Sequence, residues 1–137
     1  MAELSTEQLE YIQTHRNALL ATNRKQGAPQ LTLISYHFDG KDFTVSTRGA
    51  TQKAKNLSRR PDASLAIVDG GRQLIVYGKA TVVTDPDEVL RLHLSRMAGG
   101  GGRSETPAEL AERLRREERV IIIIEPQSYF PATLRAP

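Results

Sequence analysis

The segment Ser46-Thr47-Arg48-Gly49-Ala50-Thr51-Gln52-Lys53-Ala54-Lys55-Asn56-Leu57 commits this chain to a strand, a small-residue turn and a helix start in immediate succession. Just before it, Phe43-Thr44-Val45-Ser46 alternates apolar and polar residues as a half-buried strand does. Thr51 is a residue type that caps helices, and it predicts a short helix from there to about Arg59. Such a junction gathers free backbone N–H groups and the positive end of the helix dipole at one spot. Lys53 and Lys55 fall at that spot, although the dipole favours acidic side chains there. A solvated cationic surface turn is the ordinary explanation. The conflict with the dipole supplies the other one, a phosphate held by backbone N–H groups and a lysine.

Around this junction the chain reads as strands separated by turn chemistry. Leu4-Ser5-Thr6-Glu7-Gln8-Leu9 carries a capping box and a hydrophobic staple, predicting a helix to about His15. Strands are expected over 18–22, 30–38, 42–47, 63–68, 73–83 and 120–125, the last extending toward Tyr129 and Phe130. Asp39-Gly40 is a hairpin signal between the second and third. Gly78 interrupts the long fifth strand, as at a bend or a close backbone approach. Asp85-Pro86-Asp87-Glu88 and Thr106-Pro107-Ala108-Glu109 open two further helices. His93 lies in the first one's apolar stripe with Leu90 and Met97, where packing is its expected role. The glycine run 99–102 ends that helix and lacks the strand-before, helix-after setting of a dinucleotide loop. It reads as a connection or a lid, with Arg103 as a candidate anion contact. Six mostly antiparallel strands in this order suggest a closed or nearly closed barrel in a single domain, 1–137.

Composition narrows the chemistry. The chain has no cysteine, which removes thiolate nucleophiles, disulfides and cysteine-based zinc sites together. Its histidines lack metal-ligand spacing with a carboxylate, so no metal is expected. No catalytic triad, carboxylate pair or activated nucleophile is visible, which leaves the catalytic residues unassigned and suits a cofactor-dependent reaction. The net charge of +3 is mild, and only 5% of residues are aromatic, whereas nucleic-acid binders usually combine such charge with stacking aromatics. A phosphorylated small molecule explains the charge at least as well. No secretory h-region and no apolar run of about 18 residues appears. The expectation is a cytoplasmic protein with neither a membrane nor a nucleic-acid partner.

Taken together, the order of elements, Pro29-Gln30-Leu31-Thr32, Tyr36-His37-Phe38-Asp39, Val45-Ser46 and the run from Lys53-Ala54-Lys55-Asn56-Leu57 through Arg60-Pro61-Asp62-Ala63-Ser64 resemble the pyridoxamine-phosphate-oxidase-like flavin and deazaflavin oxidoreductases. Within them the chain is most similar to the small branch that uses the deazaflavin coenzyme F420. The resemblance spans Leu9 to Phe130 and implies a mainly β fold, a six-stranded split barrel with an N-terminal helix and peripheral helices. It also implies a homodimer with two cofactor sites at the subunit interface, acting on a small-molecule substrate. By position, Lys53 matches the principal phosphate-binding lysine and Lys55 a basic position just after it. Ser46 and Thr47 end the strand beside the phosphate, Arg48 either extends the clamp or faces water, and Gln30 and Thr32 fall on the strand facing the ring. Asn56 follows the motif, either toward the cofactor or simply holding the helix. The match weakens at Gly71-Arg72-Gln73-Leu74, where relatives often carry an aromatic near the ring. An FMN enzyme, a non-catalytic carrier and a nucleic-acid-binding barrel are the rival readings.

Overall fold

The computed structural model describes residues 3–98 and 104–136. Residues 99–102 and Arg103, read above as a connection and an anion contact, lie outside them. In chain order the elements are α1 (Thr6–Thr14), β1 (Asn17–Thr22), β2 (Gln30–Ser35), β3 (His37–Phe38), β4 (Phe43–Arg48), α2 (Gln52–Arg59), β5 (Asp62–Asp69), β6 (Arg72–Val83), α3 (Pro86–Ala98), α4 (Pro107–Arg116) and β7 (Arg119–Phe130).

The strands form one antiparallel sheet in the order β2-β1-β5-β6-β7-β4-β3. Its two edges, β2 and β3, are consecutive in the chain with only Tyr36 between them. The sheet therefore curls until the halves of one segment stand at opposite margins, a split barrel. This corrects the expected strand count: among the described residues there are seven strands, not six, because 30–38 does not run through as one. The break has a local cause. The Tyr36 N–H donates to the Arg16 carbonyl at 2.9 Å, and its hydroxyl donates to the Ile12 carbonyl at 2.7 Å. Bound at both ends to the α1–β1 corner, Tyr36 takes the chain off β1, and the next residues pair with β4.

Side chains alternate across the strands and fill the curl with Leu20, Phe43, Val45, Leu65, Ile67, Leu74, Val76, Ile122 and Ile124, all fully buried. A smaller cluster of Val89, Leu110, Leu114 and Ile121 fixes α3 and α4 to the outer side of β7. That strand is thus covered on both faces over part of its length, which explains its unbroken isoleucine run. Ser5 with Gln8 and Thr106 with Glu109 form the expected capping boxes. At the β3–β4 hairpin the Asp39 carboxylate accepts from the Lys41 and Asp42 N–H groups, while Gly40 takes φ +99°. Gly78 sits where β6 shifts register against β7, and a Cβ there would lie 2.5 Å from the Glu125 carbonyl oxygen.

The opposite face of the curl carries a cross-strand row of Leu33, Leu19, Ala66, Ile75 and Phe130. Leu33 is 70% exposed and Phe130 54%. Among the described residues no helix is long and apolar enough to cross a membrane.

Candidate cofactor site

The start of α2 carries a cationic cluster. Thr51 occupies the N-cap with extended backbone, but its hydroxyl donates to the Arg48 carbonyl at 2.9 Å and no side chain caps the helix. The first turn has no acidic residue. Its backbone donors and dipole are therefore left for an external acceptor. The Thr47 and Thr51 hydroxyls lie 3.3 Å apart beside it. Lys53 is half-buried, and burial, with the Arg119 cation as the second cause, holds its ammonium below the usual lysine range. Among the described residues no carboxylate pairs with it. Arg119 is the cross-strand neighbour of Arg48 and is itself tied to Glu117 at 2.9 Å. Partly desolvated positive charge beside uncapped N–H groups fits a phosphate, which would satisfy both at once.

Asn56 is fully buried. Its amide donates to the Thr22 hydroxyl at 3.0 Å, and its oxygen accepts from Gln52 at 2.8 Å and Arg59 at 3.3 Å. With Ala54 and Leu57 buried on either side, Asn56 fastens α2 to β1 and sets where Lys53 stands. Gln30 is the cross-strand partner of Thr22, and Thr32 that of Leu20, so both share the sheet face that Asn56 grips. They are half-buried at the margin against which α2 also packs. Lys55 and Arg48 are exposed.

Ser46 goes elsewhere. Adjacent strand residues point to opposite faces, so while Thr47 meets Thr51, Ser46 meets α3, with its hydroxyl oxygen 2.9 Å from His93 Nε2. His93, expected to pack, is thereby a polar contact in a second cavity of about 670 Å³ between β4, the Tyr36 corner, α3 and α4. Burial first, then the Arg96, Arg113 and Arg119 cations, push its pKa down to about 4, with Glu105 opposing. The sequence signal for this was the pair His93 and Arg96, three apart on one helical face.

The curled antiparallel sheet with helices packed against it is a split barrel. The chain belongs to the pyridoxamine 5'-phosphate oxidase family, whose model matches residues 4–130. It is 36% identical over 88 residues to an F420H(2)-dependent biliverdin reductase of Mycobacterium tuberculosis, a match covering 63% of this chain and 64% of that protein. It thus spans less than two thirds of that relative's length. A solved F420 reductase is 28% identical with a TM-score of 0.61, over 83% of this chain and 88% of that one. A conserved hypothetical protein of Mycobacterium tuberculosis is 25% identical with a TM-score of 0.74, over 93% and 83% of the two chains.

Proposed function

We propose that this protein is a cytoplasmic oxidoreductase that binds the deazaflavin coenzyme F420 and moves hydride between it and an electrophilic organic substrate. The reading rests on one observation above the rest: a half-buried Lys53, without a carboxylate partner among the described residues, at the uncapped start of α2. Lys53, the first-turn N–H groups and the Thr47 hydroxyl hold the phosphodiester, with Arg48 and Lys55 as outer cations. Gln30 and Thr32 offer hydrogen bonds to the ring edge from the neighbouring margin. Asn56 keeps α2 in place. When bound, the coenzyme supplies the hydride chemistry, and the protein orients the ring and excludes water. The names of two relatives, an F420H(2)-dependent reductase and an F420 reductase, support the choice of coenzyme.

A homodimer forms on the apolar row from Leu33 to Phe130, since an exposed apolar stripe across five strands marks an association surface. FMN is the second reading, favoured by the family itself. Fluorescence titration of the purified protein with each cofactor separates the two. Tighter binding of F420, with hydride transfer from its reduced form, is expected. FMN binding tighter by about tenfold, roughly 1.4 kcal/mol, would overturn the F420 reading.

A further inference from the structure

The second cavity carries a ligand signature of its own, on residues separate from Lys53. Its charged wall is unbalanced. Arg113 is held by Glu105 through two contacts of 2.9 and 3.0 Å and lies 3.6 Å from Glu117. Arg96, one turn beyond His93 on α3, has no carboxylate within ion-pair distance among the described residues, and neither does Arg16 on the facing corner. Arg96 is half-buried, and burial together with the nearby Arg119 cation lowers its pKa, so both of its surroundings act against its charge. A half-buried guanidinium beside other cations, with no carboxylate partner among the described residues, is a candidate to receive an external anion.

The remaining lining says what that partner looks like. Tyr36, Phe38, Met97 and Leu110 supply an apolar wall, and the volume of about 670 Å³ lies within the range of small-molecule pockets. His93 is neutral at ordinary pH and hydrogen-bonds Ser46 through Nε2, while its Nδ1 has no hydrogen-bond partner among the described residues. We propose that this cavity binds a small organic acid, its carboxylate paired with the Arg96 guanidinium and its apolar body against Tyr36, Phe38 and Met97. The planar fork of arginine matches a carboxylate edge-on, and Arg16 adds a second positive charge at the mouth. Neither the cofactor reading nor the dimer is needed for this assignment.

The test uses 2-naphthoate as the probe and 2-naphthamide as its uncharged counterpart, by calorimetric titration of the full chain. Saturable binding of one naphthoate per chain is expected, with the amide weaker by roughly tenfold or more. Arg96→Gln should lose naphthoate affinity by the same order, and Arg96→Lys, which keeps charge without the fork, should fall between. Arg91→Gln, a charge removed from the exposed side of the same helix, should stay within about twofold. Naphthoate should also shift the amide resonances of Ser46 and His93. Equal affinity of Arg96→Gln and parent, equal binding of acid and amide, or no saturable binding up to about 5 mM would each overturn the proposal. Should Arg96→Gln fail to fold, the acid–amide comparison and the lysine variant decide it.

Discussion

Ser46 and His93, 47 positions apart in the chain, place a hydroxyl oxygen and an imidazole Nε2 2.9 Å from each other midway along α3. The pair joins the strand leading to the α2 junction with the helix that walls the second cavity. Its imidazole is held neutral first by burial, which disfavours its charged form, and then by the Arg96, Arg113 and Arg119 cations around it.

That depression makes stability depend on pH with a definite sign. The folded His93 titrates at about 4 against an ordinary 6.5, so between those values the unfolded chain takes up a proton that the native one refuses. The resulting penalty is absent above about 6.5 and grows as pH falls toward 4. Urea unfolding at a series of pH values should show the decline, and His93→Gln should flatten that part of the curve. An unchanged pH profile in the variant would place the acid sensitivity elsewhere.

Lys53→Ala should weaken cofactor binding by roughly ten- to a hundredfold, the worth of a charge-assisted hydrogen bond of about 1.5–3 kcal/mol. Lys55→Ala should cost less, because Lys55 is exposed and side chains two apart on a helix do not share a face. Fluorescence titration of the two variants beside the parent measures the difference. Parent-like affinity in Lys53→Ala would return that lysine to a solvated surface role.

Asn56→Ala should act first on the fold. It leaves the buried Thr22 hydroxyl without its donor and frees α2 from β1, a loss of about 1–3 kcal/mol. Chemical denaturation of the cofactor-free protein reads it directly. A variant as stable as the parent but deficient in binding would instead make Asn56 a ligand contact.

Gly78→Ala should destabilise by about 1–3 kcal/mol, since the new methyl meets a backbone oxygen at 2.5 Å rather than a side chain that can swing away. Neighbouring strands would have to part. A denaturation midpoint equal to that of the parent would show that β6 and β7 accommodate the group.

Leu33→Lys should convert the expected dimer to a monomer without loss of fold, because Leu33 is 70% exposed. Light scattering at micromolar concentration gives the mass, and circular dichroism the fold. A variant that remains dimeric would move the interface off this face.

Much of the molecule was legible in the chain alone, and for a physical reason: capping, turn geometry and side-chain periodicity are short-range effects. Ser5 with Gln8, Thr106 with Glu109, Asp39-Gly40 and the α2 boundaries from Gln52 to Arg59 each depend on residues within a few positions of one another. Even the discomfort of Gly78 showed, since a glycine inside a strand run signals a close neighbour. Tertiary structure decided what depends on partners distant in sequence. The break at Tyr36 needed the carbonyls of Ile12 and Arg16, which no local pattern announces, and it turned one expected strand into two. Strand alternation already put Ser46 and Thr47 on opposite faces, but that α3 stands on the Ser46 side, and Thr51 at the start of α2 on the Thr47 side, was settled only by the tertiary structure. His93 looked apolar by its helical neighbours and proved polar by what lay across the cavity. Local chemistry sets which elements form; which side chains meet, and therefore which charges stay unpaired, is settled only when the sheet curls.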